Sequence, residues 1–150
     1  MKQAIARRDV NPLRIAAASL ALVVWMAGGN GVPRAGAEDS TDCQFDVTFL
    51  PPNFWQGTVT GTFSGRTQAA FRLLGTEGVT WHLSSAWSVD AGANSFVAQL
   101  KGIYNAQTGQ TTMNGNVTEG YRMGRPVHLD GNLVSVPQRF RFTGTLRITP

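Results

Sequence analysis

The chain has 150 residues, with 13 Lys+Arg against 9 Asp+Glu, a formal charge of +4 and an isoelectric point near 10.0. That balance would suit nucleic acid or an anionic surface, but Lys2, Arg7, Arg8, Arg14 and Arg34 lie within residues 1–37 beside a single acid, Asp9. Eight residues of each sign are left from Glu38 onwards, so this neutral remainder gives no reason to expect nucleic acid as a partner.

The first element in chain order is an export signal. Basic residues precede an uncharged apolar run from Ile15 to Met26, too short for the ~20 residues that cross a bilayer as a helix. A Gly-rich stretch follows, and Ala35-Gly36-Ala37 has the small-x-small form that signal peptidase accepts. The expectation is a signal peptide at residues 1–37, cleavage before Glu38, and a mature protein that is secreted or held in the periplasm or cell envelope without spanning the membrane. Arg7-Arg8 raises twin-arginine export, although Asp9-Val10-Asn11-Pro12 supplies only one apolar residue where two are expected.

From residue 38 to 150 the pattern has a period of two, which sends alternate side chains to opposite faces of a strand. Cys43, Phe45, Val47 and Phe49 alternate with Gln44, Asp46 and Thr48; Val59 and Phe63 alternate with Thr58, Thr60 and Thr62. From Val79 to Val89 the apolar set is Val79, Trp81, Leu83, Trp87 and Val89, opposite Thr80, His82, Ser84 and Ser88. From Arg139 to Thr149, Phe140, Phe142, Leu146 and Ile148 alternate with Arg139, Arg141, Thr143, Thr145 and Arg147. Weaker runs fill Ala69–Leu74, Ser95–Tyr104, Thr111–Tyr121 and Val127–Val134. Turn signals separate them at Pro51-Pro52-Asn53, Ser64-Gly65, Gly75-Thr76-Glu77-Gly78, Asp90-Ala91-Gly92 and Asn105–Gly109.

About eight strands joined by short loops make a meander. The fold expected is a single all-β domain, a small antiparallel up-and-down barrel, with a two-sheet β-sandwich as the alternative. Closure removes exposed edges, pairs the last strand with the strand of Cys43–Phe49, and brings Asp46 near the C-terminal arginines. Cys43, the sole cysteine, excludes an intrachain disulfide and a Cys-based zinc site and reads as a small hydrophobe at the start of the first strand. A membrane barrel would need an apolar outer band, whereas the second face of these strands is Thr, Ser, Arg, Asn and His. At the level of architecture the chain resembles the small secreted barrels of the avidin and lipocalin kinds, with no motif that transfers binding positions.

Chemistry-bearing residues are sparse. His82 and His128 fall on polar faces of strands that a meander does not make neighbours; with Asp130, Asp90 or Glu119 they form no convincing metal set, and no cofactor is expected. Glu119 shares the phase of Met113, Val117 and Tyr121, so it is the one carboxylate expected on an apolar face, at the rim or buried, and the candidate for acid–base work. Two readings follow. In the preferred one the protein is a non-enzymatic binding or envelope-associated protein for a small apolar or anionic ligand, with Trp81, Trp87, Tyr104, Arg139 and Arg141 as candidate contacts. In the alternative it is a small barrel enzyme of the isomerase or cyclase kind using Glu119 beside aromatic walls, or a secreted protease inhibitor.

Overall fold

The period-two runs become eight strands: β1 Thr41–Leu50, β2 Phe54–Gly61, β3 Gly65–Glu77, β4 Thr80–Asp90, β5 Phe96–Asn105, β6 Gln110–Gly120, β7 Pro126–Val136 and β8 Arg139–Ile148. A single 3-10 turn, Gly92–Asn94, interrupts them. This computed structural model describes residues 39–150, so the expected export signal lies outside the described residues. Each strand pairs antiparallel with the next, and β8 returns to β1 to close the barrel. Among the described residues no helix is long and apolar enough to cross a membrane.

Closure follows the expected partners. In the β1–β8 ladder Asp46 lies opposite Thr143 and Thr48 opposite Arg141, which sets Asp46 diagonal to Arg141. The Arg141 Nε–H donates to Asp46 Oδ1 at 2.8 Å, and its Nη2 donates to Oδ2. That guanidinium holds the Asp46 carboxyl below the usual carboxylate range.

An eight-stranded barrel is just narrow enough for side chains to fill it. Phe45, Val47, Val59, Trp87, Leu100, Met113, Leu129, Phe142, Leu146 and Ile148 do so from seven strands. Glycines let strands coil tightly around this filling. A Cβ on Gly57 would stand 1.8 Å from the Asp46 carbonyl oxygen, and one on Gly115 would stand 1.8 Å from that of Gln99. Cys43 is buried at the start of β1, and burial raises its thiol pKa.

The two ends of the barrel differ. At the end where β1 starts, β2 stops at Gly61, so Phe63 belongs to the turn rather than to a strand as the alternation predicted. It folds in against Phe96 and Tyr121, with ring centroids 6.0 and 6.2 Å away, and stoppers that end. Arg122 seals it from outside, its guanidinium 5.6 Å from the Tyr121 ring and its Nη2 donating to the Asp39 carbonyl at 2.6 Å.

Two bulges change the phase that simple alternation predicts. In β3 the register shifts between Leu73 and Gly75, so the strand continues to Glu77 where a four-residue turn was expected. In β6, Ala98 pairs with Val117 but Val97 with Glu119, which leaves Thr118 as an extra residue. A one-residue slip reverses every later side chain. Glu119 therefore joins outward-facing Val97 and is exposed, which corrects its expected place on the apolar face. Met123, expected in the same phase, lies in the following turn and is 70% exposed.

Candidate functional site

The end opposite the stopper is open. It is built from the last residues of β1, β3, β5 and β7 and the first residues of β2, β4, β6 and β8. Inward positions there carry aromatic and aliphatic side chains from nearly every strand, and they wall a cleft of about 170 Å³ lined by Trp55, Phe71, Trp81, Leu83, Tyr104, Thr111, Leu133 and Phe142.

The floor is a set of interlocking rings. Phe45 lies 4.9 Å from both Trp87 and Phe142, Phe71 lies 6.1 Å from Trp87, and most of these contacts are edge-on or tilted, geometries that favour the ring quadrupoles. Trp87 is fully buried, and its indole N–H donates to Ser85 Oγ at 3.1 Å. The Ser85 hydroxyl lies 3.6 Å from the Met113 sulfur. Above the floor, Trp55 meets Phe71 at 6.0 Å and Phe142 at 6.1 Å, while Trp81 meets Tyr104 at 5.5 Å across the β4–β5 pair.

Trp81 and Trp87 share a face, as their spacing of six requires, but they sit at different depths. Trp81 is at the mouth and 40% exposed, while Trp87 is in the floor. Tyr104 lines the cleft; Trp87 lies beneath it. Arg139 and Arg141 point outward on β8 near the same end, and neither lines the cleft. Glu119 sits near the stoppered end, so the structure separates it from the aromatic walls it was expected to accompany. Trp55, Phe71, Leu83, Leu133 and Phe142 complete the site without having been singled out from sequence. Their convergence depends on strand register, which alternation leaves open.

The polar groups lie elsewhere. On the outer face of β6 and β7, the His128 ring nitrogens are 2.6 Å from Asn114 Oδ1 and 2.7 Å from Asp130 Oδ2, and Thr112 donates to Asp130 at 2.8 Å. Burial opposes ionisation of Asp130, but the hydrogen bonds from Thr112 and His128 and the nearby His128 and Arg147 charges outweigh it, and its pKa falls. His82 is on non-adjacent β4. No cluster of three or more His, Cys, Asp or Glu able to hold a metal occurs among the described residues. What fold and cleft together define is a closed antiparallel barrel with one stoppered and one open, apolar end. No family model, curated protein or solved structure matches the chain.

Proposed function

We propose that the protein is an exported, non-enzymatic binding protein that holds a small apolar group in the open end of its barrel. The observation that carries this reading is the composition of the cleft wall: five aromatic residues and two leucines line it, and the polar groups its lining side chains carry are the Tyr104 and Thr111 hydroxyls and the indole N–H groups of Trp55 and Trp81, with no carboxylate, imidazole or cation among them. General acid–base chemistry needs a titrating group within hydrogen-bond reach of the substrate. Glu119, the carboxylate considered for that work, is outside the barrel. The volume suits one ring or the end of an alkyl chain, since an apolar cavity of roughly 150 Å³ takes up benzene.

The hydrophobic fluorophore N-phenyl-1-naphthylamine tests the reading, since its phenyl ring is of the size the cleft takes and the cleft is open to the remainder of the molecule. Saturable enhancement of its emission is expected with the full chain, and Leu133→Lys, which sets a charge at the cleft wall, is expected to weaken binding at least about tenfold. Glu119→Gln is expected to leave binding unchanged. Absence of saturable binding, or equal binding by a folded Leu133→Lys variant, would overturn the proposal. Export is tested separately by N-terminal sequencing of secreted or periplasmic material: the expected first residue is Glu38, and a start before Val32 or an uncleaved, membrane-embedded chain would refute it.

A further inference from the structure

Ten large hydrophobic residues are exposed among the described residues, and nine of them lie at the open end; only Met123 is at the other. Part of this apolar surface is explained by the cleft, because Trp81, Phe140 and Leu73, which lies opposite Leu83, have inward phase, and Val79 lies in the β3–β4 turn. The rest is not. Leu50 and Phe54 pair across the β1–β2 turn on the outer face, Ile103 lies opposite outward His82, Val134 opposite outward Arg141, and Leu74 is the extra residue of the β3 bulge. These five side chains do not line the cleft, so a ligand inside it leaves them in water.

Cations lie just beneath this apolar tip. Lys101 is two residues below Ile103 on β5, Arg72 is two residues below Leu74 on β3, and both lie opposite Ser84 of β4, which places them at one level. Arg139 starts β8 at the mouth opposite Val136. None of Arg72, Lys101 and Arg139 is ion-paired among the described residues, whereas Arg141 is held by Asp46. The acid at this rim is Glu77, whose carboxylate lies 3.8 Å from His82 Nε2.

We propose that the open end of the barrel docks on an anionic lipid surface, its apolar tip entering the acyl boundary while Arg72, Lys101 and Arg139 meet the headgroup phosphates. The spacing fits: two residues of a strand rise about 6.6 Å, and a tilt of about 40° in a barrel brings that to roughly 5 Å. Interfacial elements bury their apolar faces by about 5–10 Å. Polar outer faces on the remainder of the barrel keep it on the membrane rather than across it. A second copy docked mouth to mouth would bring the two unpaired cation sets together, which is why lipid is the better occupant.

The test uses the full chain with Trp25→Phe, so that tryptophan emission comes from Trp55, Trp81 and Trp87, and vesicles of phosphatidylglycerol with brominated acyl chains. Saturable quenching is expected, at least about tenfold weaker on phosphatidylcholine and in about 0.5 M salt, where charges are screened beyond a few ångströms. Leu50→Ser/Ile103→Ser/Val134→Ser is expected to weaken binding at least about tenfold, and Arg72→Ser/Lys101→Ser roughly thirtyfold, both with N-phenyl-1-naphthylamine binding retained. Absent quenching, or quenching that neither folded variant changes, would overturn the proposal. So would a dimer, seen by light scattering, that the triple serine variant dissociates, since it would assign the face to a second copy. Loss of fluorophore binding with vesicle quenching intact would instead remove the cleft reading alone.

Discussion

Deletion of Arg139–Pro150 is expected to leave a chain with no cooperative unfolding transition. β8 is the closing strand, registered over eight residue pairs with β1 and ten with β7. Its removal leaves two long unpaired edges, the arrangement that closure avoids. It also strips Phe142, Leu146 and Ile148, each 3% exposed or less, from the core. At about 1.5–3 kcal/mol for each buried apolar side chain, those three alone are comparable with the roughly 5–15 kcal/mol that stabilises a typical domain. Urea titration followed by near- and far-ultraviolet circular dichroism reads the outcome. Arg139→Ser/Arg141→Ser in the full chain is the control and is expected to keep a cooperative transition, because both side chains point to solvent and every ladder survives. A truncated chain that still unfolded cooperatively would contradict the dependence of the core on closure.

The parts of this architecture legible in the sequence are those that a period of two and turn chemistry determine. The alternations of Cys43–Phe49 and Arg139–Ile148 are strong enough to define inward faces, and closure of a meander joins its first strand to its last, so the Asp46–Arg141 pair was within reach. The structure departs from that reading where one residue is added. Thr118 slips β6 by one position and carries Glu119 from the apolar face to the outside; Leu74 does the same in β3 and extends a strand through an expected turn. Gly120, at φ +83°, marked the first of these places, but alternation alone does not register an inserted residue.

Depth was also hidden. Trp81 and Trp87 are identical by phase, and their different exposures come from how far each lies from the open end. The cleft required still more, because Trp55, Phe71, Leu83, Leu133 and Phe142 come from five strands, and only the complete set of registers brings them together. The outward apolar residues Leu50, Phe54, Ile103 and Val134 look like errors of pattern when read strand by strand. Gathered at one rim, they form a surface.

Truncation of the floor is expected to destabilise the barrel strongly without opening it. Trp87 is fully buried, packed against Phe45, Phe71 and Phe142. Replacing a buried aromatic residue by Ala typically costs about 3–5 kcal/mol, part of it for the cavity left behind. Ser85 would also lose the indole donor that its oxygen accepts at 3.1 Å. Trp87→Phe retains much of the volume and is expected to lose less. His82→Ala lies on the same strand but faces outward, near Glu77 alone, and a change at such a surface position is expected to fall within about 0.5 kcal/mol. The three variants therefore have an expected order of urea midpoints: Trp87→Ala far below Trp87→Phe, with His82→Ala indistinguishable from the parent. Because Trp87 separates the cleft from the packed half of the barrel, a Trp87→Ala chain that still folds is also expected to admit a longer alkyl chain than the parent. Equal midpoints for Trp87→Ala and His82→Ala would show that β4 does not set Trp87 into the core, and the floor on which the cleft depends would fall with that assignment.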